Sequence, residues 1–178
     1  MATGDGRSGG QGRMHWLDEL SSAWRREYPD LDTSVLPPLV RLANLAILSE
    51  AFQHEVLAPF DLGPSDYGVL AALRRAGGSY ALSPSELYGR LARSSGGMTK
   101  ILKRLEEQGL IRRSPDPEDG RGSRVSLTKK GLDVQDRVFA ALLTASQDLL
   151  APVATTQLRE IDRSLRILLD AFEGYLTG

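Results

Sequence analysis

The chain of 178 residues contains no cysteine. Disulfides, thiolate metal sites and thiol nucleophiles are excluded together. That fits a cytoplasmic protein, since thiol-free chains need no oxidising compartment. Histidine is scarce as well. His15 and His54 are the two present, they fall on different predicted helices, and neither sits in a catalytic motif. HExxH and G-x-S-x-G are missing. Ser94-Ser95-Gly96-Gly97 lacks the preceding strand and the lysine of a phosphate loop. The reading is a protein that is not an enzyme and needs no metal or other cofactor. No apolar run approaches the ~18–20 residues of a membrane span, so no membrane partner is expected. Met1 to Gly12 has Gly and Ser but no apolar block, which rules out a signal peptide. Residues 1–14 are expected to form a disordered leader.

What is present is enough apolar material for a core, at 41% of residues. The net charge of −1 conceals a segregation. Arg90 to Lys130 holds 11 basic and 5 acidic residues, a net of +6; the remainder holds 11 and 18, a net of −7. A basic segment in an acidic body is either a polyanion site or a solvated charged surface.

Periodicity predicts a mainly helical chain. Trp16, Leu20 and Trp24 are spaced by four in a short helix over residues 15–28. Pro37 and Pro38 open the next helix, where a missing N–H costs little. Leu42, Leu45, Leu48, Phe52 and Val56 form its apolar face. A third helix runs over residues 65–75, and residues 80–82 are extended. Ser83-Pro84-Ser85-Glu86 is a capping box with proline at the first helical position. Its helix reaches Leu91, a four-residue turn follows, and a second helix ends near Gln108. Gly109 suits the left-handed position beyond that end. Two short helices joined this tightly are a helix-turn-helix. Residues 111–113 and 124–127 read as two strands, and the Pro-, Gly- and Asp-rich stretch 114–123 reads as a protruding wing. Thr128 caps a long helix to Leu150.

The last helix, residues 156–176, carries Leu158, Ile161, Leu165, Leu168, Phe172 and Tyr175 at alternating spacings of three and four. This short heptad seam serves either a dimer or packing within the chain. The fold expected is mainly α with a small β-wing: a winged helix-turn-helix domain plus N- and C-terminal dimerisation helices. The divisions expected are 15–60 for the added helix and first dimerisation helix, 61–130 for the DNA-binding domain and 131–178 for the C-terminal helices. The dimerisation set is Leu158, Ile161, Leu165, Leu168 and Phe172.

On the helix from Ser95 to Gln108, Met98, Ile101, Leu102 and Leu105 follow the i, i+3, i+4, i+7 rule and predict the buried stripe. Gly96, Lys100, Lys103 and Glu107 fall opposite, with Thr99 and Arg104 on the flanks. The outward face is small, hydroxylic or basic, which suits entry into the major groove. Ser95 and Thr99 can bond phosphates or base edges, and Lys100, Lys103 and Arg104 supply charge. Arg121, between Gly120 and Gly122, can enter a narrow minor groove or remain a loop charge. Asp116 or Asp119 is expected to brace an arginine. Ser83, Ser94 and Arg124 complete the candidate DNA-binding set.

The ordered series from Leu82-Ser83-Pro84-Ser85-Glu86-Leu87 through Gly109-Leu110-Ile111, Asp119-Gly120-Arg121 and Leu127-Thr128-Lys129-Lys130-Gly131 resembles the multiple-antibiotic-resistance regulator (MarR) family. The resemblance covers residues 35–176. It implies a homodimer on duplex DNA, a palindromic operator with half-sites ~10 bp apart, and ligand-releasable repression. It also implies Ser95, Thr99, Lys100 and Lys103 for the major groove and Arg121 for the minor groove.

The added N-terminal helix resembles the family branch that includes urate-responsive members. Trp24 matches a pocket tryptophan of that branch, and Arg113 a pocket arginine. His54 and Tyr67 complete the ligand-binding set. Gly68 and Ile101 stand where urate-binding members have an aspartate and an arginine, which argues against urate and for an aromatic or more apolar effector. Trp24 and His54 also have ordinary readings as packed residues. The rival function is a winged-helix module for protein contacts without specific DNA binding. Such modules usually lack the basic recognition face and the wing arginine found here.

Overall fold

The computed structural model describes residues 16, 19, 20, 22–91, 95–116 and 122–178, the side chains of 95 and 96 excepted. Its elements are α1 (Leu36–Leu57), a 3-10 turn (Ala58–Phe60), α2 (Pro64–Ala76), β1 (Ala81–Leu82), α3 (Pro84–Leu91), α4 (Ser95–Glu107), β2 (Ile111–Pro115), β3 (Ser123–Leu127), α5 (Lys129–Leu150) and α6 (Thr155–Thr177). The chain forms two compact units, Met1–Glu55 and Val56–Gly178. No single helix among the described residues is long and apolar enough to cross a membrane.

In the first unit, residues 22–27 are helical. The rings of Trp24 and Tyr28 lie 5.5 Å apart, one turn from each other. The Ser34 N–H donates to the Asp32 carboxylate at 2.9 Å, ordering the turn before α1 and lowering the Asp32 pKa. Leu45, Ile47 and Leu48 of α1 are exposed.

The core of the second unit is built from one apolar stripe per element. Val69, Leu70 and Leu73 of α2 meet Leu87 of α3, Met98, Leu102 and Leu105 of α4, Ile111 of β2, Val125 of β3 and Val138 of α5. All are buried. Truncating one of the leucines to alanine in such a core costs ~2–5 kcal/mol. The stripe predicted for α4 is the one observed, and it fixes which face of that helix points outward.

The sheet differs from the expectation of two strands. It has three antiparallel strands in the order β1-β3-β2. The two-residue β1 pairs Ala81 with Ser126 and Leu82 with Val125. The wing loop is also shorter than expected, because β2 and β3 pair as far as Pro115 and Ser123. Pro115 is tolerated because β2 is an edge strand, where a missing N–H need not break a ladder.

Helix α6 has no buried residue over its 23 positions. Leu158, Leu165 and Leu168 are half-buried, while Ile161 and Phe172 are exposed. Ile167, Leu169 and Leu176, outside the predicted seam, are more exposed still, at 63%, 59% and 77%. Tyr175, at the end of the seam, is 89% exposed, so open apolar surface lies both on the predicted seam and beyond it.

Candidate nucleic-acid interface

Helix α3 begins as the capping box predicts. The Ser83 N–H donates to the Glu86 carboxylate at 2.7 Å, and the Glu86 N–H donates to the Ser83 hydroxyl at 3.2 Å. The donated N–H of Ser83 holds the Glu86 carboxyl below its ordinary range. Ser83, a candidate DNA contact, thus has its hydroxyl engaged in the cap and in a 2.9 Å bond with Ser85.

Helix α4 follows. Met98, Ile101, Leu102 and Leu105 are turned inward, and Thr99, Lys100 and Lys103 are exposed. Lys103 makes only a loose 3.7 Å pair with Glu107, with its side chain 75% exposed. Lys100 has no ion-pair partner among the described residues. The outward face therefore offers two solvated ammonium groups one helical turn apart.

The helix is anchored at both flanks. Arg104 donates to Asp66 of α2, whose side chain is 3% exposed. The other Asp66 oxygen accepts the Gly63 N–H at 2.8 Å, which caps α2. Arg104, a candidate DNA contact, thus holds a buried carboxylate while its side chain stays half exposed. At the C-terminal end Gly109 adopts φ +70°, and Leu110 and Gly109 donate to the Leu105 and Glu106 carbonyls at 2.9 Å each. These two bonds make the left-handed helix stop predicted for Gly109. Two side chains that open α5 reinforce it. Thr128 donates to the Gly109 carbonyl at 2.7 Å, and Lys130 to the Gln108 carbonyl at 2.8 Å.

The same Thr128 accepts the Gly131 N–H at 3.0 Å, so it caps α5 as predicted. Gly131 is needed for another reason. A Cβ there would lie 1.9 Å from the Leu110 carbonyl oxygen. The Leu-Thr-Lys-Lys-Gly motif thus joins the stop of α4 to the start of α5 at contact distance.

On the wing, Asp116 pairs with Arg124 at 3.3 Å, the brace expected of an aspartate there. Arg124 is accordingly held at the base of the wing. Arg112 donates to Ser126 across the ladder at 3.2 Å. Arg121, Ser94 and the side chain of Ser95 lie outside the described residues, as does the leader at 1–14.

The four ligand candidates divide between the units. Trp24 and His54 are exposed residues of the first, Trp24 stacked near Tyr28. Tyr67 is half-buried against the core of the second. Arg113 sits on β2 and pairs with Glu106 at 3.3 Å. Asp66 and Lys130, which fix the orientation of α4, were not in the predicted set. Gly63 before Pro64, with an acidic residue in the first turn of α2, is the helix-start signal that could have pointed to Asp66.

A model described as MarR family matches residues 60–122. The regulator PecS of Dickeya dadantii is 31% identical over 162 residues, spanning 91% of this chain and 95% of PecS. The multiple antibiotic resistance protein MarR of Salmonella typhimurium is 39% identical over 104 residues, spanning 57% of this chain and 69% of that protein. A solved structure of an Escherichia coli MarR mutant complexed with operator DNA superposes with a TM-score of 0.67 at 27% identity, covering 79% of this chain and 99% of that one.

Proposed function

We propose that this chain, which belongs to the MarR family of transcriptional regulators, is a homodimeric repressor that binds a palindromic operator in duplex DNA and is released by a small aromatic or apolar effector. The observation that carries the reading is the solvated Lys100–Lys103 face of α4, aimed outward by a buried stripe and anchored by Arg104, Lys130 and Thr128. Small and hydroxylic residues at the start of such a helix allow close approach to a groove, and its cations add a salt-dependent attraction to phosphate.

Dimerisation follows from the open apolar surface of α6. A helix of 23 residues with none buried needs a partner, and monomers rarely leave so much contiguous apolar area in water. A second copy related by a two-fold axis would cover the same patch on both chains. It would also set two recognition helices for two half-sites ~10 bp apart.

Release requires an effector that binds better to a dimer whose helices are wrongly spaced, with a coupling of ~1–3 kcal/mol. A regulator of this kind acts in the cytoplasm and performs no catalysis.

The test is selection of bound duplexes from a random pool by the full chain. The reading predicts an inverted repeat with half-sites about one helical turn apart. Recovery of sequences no different from the input pool would favour the protein-contact module instead.

A further inference from the structure

The outward stripe of α4 carries one charge that attraction to phosphate does not explain. Lys100, Lys103 and Glu107 lie within about 60° of each other around the helix axis and span about 10 Å along it. All three are exposed. Two cations on such a face meet phosphate readily, whereas a carboxylate is repelled by it. Folding does not explain Glu107 either. It ends α4, and a negative charge in the last turn opposes the helix dipole. Its pair with Lys103 runs in the weaker order, lysine before glutamate. The pair is loose, at 3.7 Å, with side chains 75% and 64% exposed, so it adds little to stability. Glu106, one residue earlier, differs: it holds Arg113 of β2 at 3.3 Å. A charge that works against its own helix, with no fixed partner in compensation, is expected at a functional position.

The Lys103–Glu107 arrangement has a complement in duplex DNA. It places a group with three donors beside a group that only accepts, 3.7 Å apart. In the major groove a G·C pair shows N7 and O6 of guanine, both acceptors, and then the N4 amino donor of cytosine. O6 and N4 are bonded to each other within the pair, about 2.9 Å apart. The ammonium can therefore meet the guanine acceptors while the carboxylate accepts from the cytosine amino group, and their own ion pair need not part. An A·T pair fits worse. Its donor lies between two acceptors, and the thymine methyl stands beside the second, against a charged group.

We infer that Lys103 and Glu107 together read one G·C base pair in each half-site, with Glu107 as the residue that sets the choice. The inference rests on the DNA-binding reading and deepens it. Lys100, with no ion-pair partner among the described residues, is left for phosphate, and Lys103 for a base edge. Arg104 on the neighbouring flank holds Asp66 of α2, so the stripe is oriented before DNA arrives.

The test is selection of duplexes from a random pool by the full chain, for the wild type, Glu107→Gln, Lys103→Ala and Glu106→Gln. Anisotropy titrations then compare the wild-type duplex with its G·C→A·T version. The three residues are exposed and the replacements are good helix formers, so the variants are expected to fold. The wild type is expected to select G·C at one position per half-site and to bind the substituted duplex on the order of tenfold more weakly. Glu107→Gln should lose that preference or pass it to A·T, since glutamine pairs bidentately with adenine. Lys103→Ala should lose it too. Glu106→Gln makes the same change of net charge and should keep it. An unchanged motif in Glu107→Gln would overturn the inference and leave the repressor reading standing. So would an equal loss of preference in Glu106→Gln, which would assign the effect to net charge. No motif from the wild type would remove both.

Discussion

The Asp66 carboxylate binds Arg104 of α4 with one oxygen and caps its own helix α2 with the other. The two residues are 38 positions apart, and their pairing fixes one flank of α4 to α2, beside the face that carries Lys100 and Lys103. Arg104→Ala leaves Asp66 buried without its cation. A fully buried pair broken this way costs ~3–5 kcal/mol. Arg104 is half exposed, so solvent moderates the loss to about 1–3 kcal/mol. Chemical denaturation measures this directly. The double variant Asp66→Asn with Arg104→Leu is expected to recover part of the loss, because neither partner is then left charged and alone.

Gly131 supports a second prediction. An alanine there would drive its Cβ to 1.9 Å from the Leu110 carbonyl oxygen. Backbone cannot yield as a side-chain tip does, so the start of α5 must move away from the stop of α4. The expected cost is ~1–3 kcal/mol or more, seen as a lower Tm. Gly178→Ala, at the chain end, should leave Tm unchanged.

The capping box gives a pH prediction. Glu86 has its pKa lowered from the ordinary 4.5, chiefly by the Ser83 N–H. A lowered folded-state pKa means the contribution is present above the unfolded value and is lost as pH falls through the folded one. Glu86→Ala should therefore lower Tm at pH 7. The gap between variant and wild type should narrow as pH falls below the ordinary 4.5 and through the lowered folded-state value. A gap that does not change with pH across the acid range would show that the carboxylate is not the source.

Much of this was legible in the sequence, for a physical reason. The buried stripe of α4, the caps at Ser83 and Thr128 and the helix stop at Gly109 are local devices, set by residues within a turn or two of each other. The part given to Arg104 was not legible. Its flank position pointed to a phosphate contact and gave no sign of a carboxylate partner 38 positions away. The third strand escaped because two residues carry no alternation, and Ala81 and Leu82 become a strand only by pairing with β3.

The open face of α6 predicts the state of assembly. Ile167→Glu combined with Leu169→Glu places two charges on the most open apolar part of the helix, where both residues are more than half exposed in the single chain. The fold should tolerate them while a dimer should not. Sedimentation equilibrium should give twice the chain mass for the wild type and the chain mass for the variant. Equal masses would assign the interface to other surfaces.

The central claim is that the Lys100–Lys103 face of α4 meets DNA, and salt dependence tests it most directly. Fluorescence anisotropy would follow binding of the wild type, Lys100→Ala and Lys103→Ala to the duplex upstream of the protein's own gene, across a salt series with nonspecific competitor. The account predicts competitor-resistant binding with two chains per site. It also predicts a log–log salt slope reduced by roughly 1 for each lysine that contacts a phosphate in one protomer, and by about twice that in a symmetric dimer. Slopes identical to wild type in both variants would contradict it.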